Sequence, residues 1–162
     1  MSENTITDES LDLAIEQLED MEDGKLEKLF NRMAEQQPNI MGFVLGLGEG
    51  LKNEEAEEDL LFLVMIVWHA IELQKKTELN TITEENMEAI QLRIDERLDH
   101  IMSFTSEEEE DEFEALISGS SQPVILSFLS DEFFSEEYEK LQEIKIGKMF
   151  ACLSVISEAM GE

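Results

Sequence analysis

Apolar residues return every three or four positions along nearly the whole chain, and that period fits one regular structure, an α-helix lying on its apolar face. Leu11, Ile15, Leu18 and Met21 mark a first helix, and Leu26, Leu29, Phe30 and Met33 a second after a break near Gly24. Ile40, Met41, Phe43, Val44 and Leu47 define a third. Asn53, followed by Glu54 and Glu55, has the form of an N-cap with an acidic first turn, opening a fourth helix that runs to about Lys76. Met87, Ile90, Ile94, Leu98 and Ile101 mark a fifth, and Phe113, Leu116 and Ile117 a sixth. Val124, Ile125, Phe128 and Leu129 mark a seventh. Ser135 is placed to cap the last, whose stripe of Ile146, Met149, Phe150, Leu153, Ile156 and Met160 reaches residue 160. The expected fold is all-α, a bundle or array of about eight helices forming one domain over residues 1–162. Trp68, Phe43, Phe128, Phe150 and Leu153 are expected in its core.

The acidic residues agree with this reading. Glu outnumbers Asp by 31 to 9, and Glu tolerates helix interiors where Asp favours caps and turns. The net charge of −29 is spread over both halves of the chain, so no acidic tail is appended to a neutral domain. Such a field repels phosphate backbones and anionic lipid, which argues against direct nucleic-acid binding and membrane association, and it attracts cations and basic proteins. The longest apolar run, LLFLVMIVWHAI at 60–71, is 12 residues long, short of the roughly 20 needed to span a bilayer. The polar first ten residues lack the basic and apolar regions of a signal peptide, so a cytoplasmic location is expected.

The two prolines both follow glutamine, in QQPNIMGF at 36–43 and SQPVILSF at 121–128. Proline suits the first position of a helix, where its missing N–H is not needed. Shifting the chain by 83 residues lays Leu11 on Ile94, Phe30 on Phe113 and Met33 on Leu116. After Ser120 and Ser121 the shift becomes 85 and lays Pro38 on Pro123, Phe43 on Phe128 and Trp68 on Leu153. The expectation is an internal duplication of a four-helix unit, with halves at about 8–76 and 84–160 joined by the segment 77–83. Because that segment has no apolar period, it is read as a simple connection.

No motif assigns a reaction. LGLGEGLK at 45–52 lacks the spacing of a phosphate loop; Gly42 and Gly46 are read as letting a helix approach a neighbour, with Gly48 and Gly50 ending it. Cys152 lies between Ala151 and Leu153, which predicts an inert buried thiol, and no nucleophile has a recognisable base. Di-iron bundles use Glu-x-x-His, but residues 66 and 97 are Ile and Arg, so neither histidine has that glutamate. His69 with Glu72, and Glu96 with His100, are the remaining pairs that could each present two metal ligands on one helix face. A His69 hydrogen-bonded within the fold is the simpler reading. No catalytic residue and no cofactor is expected.

EEEEDEFE at 107–114 is the most extreme local feature, read as a helix start with a capping box between Ser106 and Glu109. Glu107, Glu108, Glu110 and Asp111 are the candidate contacts for a partner. The functional expectation is a non-enzymatic, acidic helical interaction or adaptor module whose protein partner, on charge, is a basic one. The alternatives are a carboxylate–histidine metal-binding bundle and an acidic mimic of nucleic acid that occupies a basic protein. A salt-adapted source is a further explanation of the acidity.

Overall fold

The structure is a computed structural model that describes residues 5–76, 79, 81–105, 107–133 and 143–161. Over these the chain is all-α, with eight helices: α1 (Asp8–Glu19), α2 (Asp23–Gln36), α3 (Pro38–Leu51), α4 (Glu54–Lys75), α5 (Glu84–Met102), α6 (Glu109–Ser118), α7 (Pro123–Phe133) and α8 (Glu143–Gly161). Local chemistry sets most of the starts. The side chains of Thr7, Asn53 and Thr83 accept hydrogen bonds from the amides of Ser10, Ala56 and Asn86, satisfying donors that a first turn leaves open. Pro38 and Pro123 open α3 and α7 as the sequence predicts.

Long, nearly all-apolar stretches of α4 and α8 form the centre and pack against each other. From Leu63 to Ile71 every residue of α4 is buried, and from Met149 to Glu158 the same holds in α8. A helix enclosed on all sides needs no polar face, which explains why neither stretch carries a narrow stripe. α1 and α3 pack on α4, while α5 and α7 pack on α8; α2 lies against α3, and α6 against α7. The two groups cross where α1 meets α7 and α3 meets α5. Trp68, Phe150 and Leu153 are buried as expected, each large side chain contributing about 1.5–3 kcal/mol relative to exposure. Phe43 and Phe128 are only partly covered, because they stand at the edge of α3 and α7.

Several boundaries differ from the sequence reading. The first break falls at Asp20–Glu22, and Gly24 lies inside α2. Gly42 and Gly46 do not admit a neighbour: a side chain there would meet open space, as it would at Gly50. The close approach is at Gly48, where an added Cβ would stand 2.9 Å from Glu57 Cγ. α3 continues through Gly50 and ends on Lys52, which takes the left-handed conformation at φ 54° in the glycine's place. The N-cap of α6 is Glu108, which makes no side-chain cap; Ser106 and Ser135 lie outside the described residues.

The segment ahead of α5 is more than a connection. Leu79 and Ile82 are buried, and the Ile82 amide donates to the Gln37 side-chain oxygen at 2.9 Å, while Asn39 Nδ2 donates to the Ile82 carbonyl. Ahead of α1, Ile6 is likewise buried and its amide donates to Gln122 Oε1 at 2.8 Å. Gln37 and Gln122 are each 1% exposed, so these bonds satisfy carbonyls that would otherwise be costly to enclose.

Candidate functional site

α6 stands apart energetically. α1 to α5 and α7 each enclose two or more side chains, whereas α6 fully encloses none. Its apolar residues Phe113, Leu116 and Ile117 are half-covered. One edge of Phe113 is fixed from below by edge-to-face ring contacts, 4.9 Å from Phe104 and 5.8 Å from Phe150, and Phe104 in turn meets His100 at 4.9 Å. Phe113 and Ile117 also line an open groove of about 480 Å³ between α6 and α7. Glu109, Glu110 and Glu114 rim it from α6, and Ser127, Ser130 and Asp131 from α7.

The electrostatics of this groove follow from a feature that the run of acids alone does not convey. Residues 98–139 include 13 carboxylates and no lysine or arginine. The candidate contacts Glu107, Glu108, Glu110 and Asp111 are all exposed, and of these Glu110 lines the groove; Glu109, expected from the sequence only as a capping residue, and Glu114 line it with Glu110. Helical spacing places residues 110, 113, 114 and 117 on one face, so the acids and apolar residues of the groove were readable as a set.

The histidine pairs separate. His69 and Glu72 are brought together on α4, with Nδ1 3.6 Å from Glu72 Oε1, while Nε2 lies 2.7 Å from Gln17 Oε1 on α1. Arg32 of α2 grips Glu72 with two hydrogen bonds, at 2.7 and 2.8 Å, and lies 4.8 Å above the ring of Trp68, whose Nε1 donates to Gln36. Glu72 is thus already neutralised by Arg32. With Nε2–H donating to Gln17, the neutral His69 ring leaves Nδ1 without a hydrogen-bond partner. Burial pushes the His69 pKa below its ordinary 6.5; Glu72 pulls it up and Arg32 pushes it further down. Glu96 and His100 are both exposed on α5. Among the described residues no three His, Cys, Asp or Glu side chains gather as a metal would require.

A buried polar network escaped the sequence reading because its members are far apart in the chain. Glu158 of α8 is 5% exposed. It receives Arg97 Nη1 at 2.6 Å and Ser120 Oγ at 2.6 Å, and Arg97 also donates to Ser154. The Gln122 amide donates to Ser120. Every oxygen of the carboxylate is used, so the cluster ties α5, α8 and the turn before α7 together and offers no open position to a ligand. Cys152 is fully enclosed, and burial pushes its thiol pKa well up, so it lacks the thiolate a nucleophile needs.

No described helix is long and apolar enough to cross a membrane. Comparison with protein-family models, curated proteins and solved structures found no match to this chain.

Proposed function

We propose that the protein is a non-enzymatic interaction module that takes a basic, amphipathic helical segment of a partner protein in the groove between α6 and α7. The observation that carries this reading is the pairing of a half-covered apolar floor, Phe113 and Ile117, with a carboxylate rim inside a 42-residue stretch free of lysine and arginine. An apolar floor rewards a buried side chain of the partner. The rim selects against acidic partners and speeds encounter with basic ones. The ring contacts under Phe113 hold the floor in place before binding, which lowers the ordering cost.

The test is capture of partners from the source cell at low and high salt, with wild type, Glu109→Gln/Glu110→Gln/Glu114→Gln and Phe113→Ala compared side by side. The rim variant should lose capture most at low salt and show a flatter salt dependence. Phe113→Ala should weaken capture at both. Recovery that ignores salt and all four substitutions would sink the proposal.

A further inference from the structure

Asn-Thr-Ile-Thr occurs twice, at 4–7 and 80–83, each time followed by two acids and a helix. The threonine before each helix, Thr7 or Thr83, is its cap, and the isoleucine before that is buried. In both cases the isoleucine amide donates to the side chain of a glutamine that is 1% exposed and precedes a helix-opening proline in the opposite half, Ile6 to Gln122 and Ile82 to Gln37. Each half therefore sends a strap into a slot on the other. The helix packing follows the same exchange, since α1 meets α4 and α7 as α5 meets α8 and α3.

We propose that the Gln37 and Gln122 slots are equivalent receptors for one kind of ligand, an extended Thr-Ile-Thr segment, and that the chain holds this ligand twice because both halves descend from one unit. The offsets support this. Ile6 falls on Ile82 at a shift of 76, which lays the buried Leu11, Ala14 and Leu18 on the buried Met87, Ile90 and Ile94. α5 has 19 residues and α1 has 12, and those seven carry the shift to 83 at α6; Ser120 and Ser121 then carry it to 85 at Pro123. Leu11 accordingly corresponds to Met87 and not to Ile94. The ligand chemistry common to both slots is an isoleucine side chain for an apolar hole and a backbone N–H for the buried glutamine. The flanking contacts differ: Gln74 holds the Thr5 carbonyl and the Thr7 amide of the first strap, and Asn39 holds the Ile82 carbonyl of the second.

The experiment uses the full chain with its first strap unseated by Ile6→Asp, which puts a carboxylate in an apolar site, and a milder Ile6→Ala variant in case the first does not fold. Thermal melting is followed while synthetic peptides covering residues 4–11 or 80–87 are added to millimolar concentration, the range that a tether would supply. Both variants should melt below wild type. Each peptide should raise the melting temperature in a concentration-dependent way and to a similar extent, since Gln74 grips the first strap only through a backbone carbonyl and a backbone amide that both peptides present. An 80–87 peptide carrying Ile82→Asp should do nothing. Failure of both peptides, or rescue by 4–11 alone, overturns the equivalence of the slots, as does an Ile6→Asp chain that melts like wild type.

Discussion

At the scale of single residues, His69 sets a pH dependence whose sign can be stated. Its folded pKa lies below the ordinary 6.5 because burial disfavours the charged ring. The unfolded chain therefore binds the proton more readily, and the stability held by neutral His69 is complete above about pH 6.5 and is lost as pH falls through that value toward the folded pKa. The titratable and charged groups around the ring are Glu72 on its own helix and Arg32 on α2, with neutral Gln17 facing it from α1. Urea denaturation of wild type and His69→Gln at pH 7.5 and pH 5.5 should show wild type losing stability relative to the variant at the lower pH. Equal shifts in the two proteins would mean the ring is not held neutral. The hydrogen-bonded role of His69 was readable from its place in an apolar run, but its partner Gln17 was not, because 52 residues separate them and no local period relates α1 to α4.

Among the elements, α3 carries an unusual cost. Gly42, Gly46 and Gly50 all face open space within one 14-residue helix, and an exposed helical glycine is about 0.5–1 kcal/mol worse than alanine. Gly42→Ala and Gly46→Ala should each stabilise by about that amount, read as a higher denaturation midpoint with an unchanged slope. Gly48→Ala should destabilise, since Glu57 Cγ stands within 2.9 Å of the new atom. Sequence alone assigned these glycines to the wrong roles because spacing shows which residues share a face and not which face meets a neighbour. The helices themselves were legible from apolar period, proline and cap chemistry, all of them local. The groove between α6 and α7 was half legible: the period put Phe113 and Ile117 together, but that α7 leaves them partly uncovered is a property of packing. The straps were overlooked for a different reason. Their Thr-Ile-Thr units are too short and too polar to register as an apolar period, and their glutamine partners lie 45 and 116 residues away.

For the whole molecule, a net charge of −29 on 162 residues implies self-repulsion that grows as the chain compacts. Described basic side chains relieve it at a few points, chiefly Arg32 on Glu72 and Arg97 on Glu158. Raising sodium chloride from about 0.05 to 0.5 M shortens the screening length from roughly 14 to 4 Å and should raise the melting temperature. A melting temperature that does not respond would show the surface charges to be compensated already. The crossed straps also order events during synthesis. When Ile82 leaves the ribosome, Gln37 is already made and its slot can close at once. Ile6 must wait for Gln122, 116 residues later, which at about 5–20 residues per second is a delay of roughly 6–23 s. For that interval Ile6, a side chain that belongs in the interior, stays in water with its receptor not yet translated, and the negative charge of the first half is what holds neighbouring nascent chains apart.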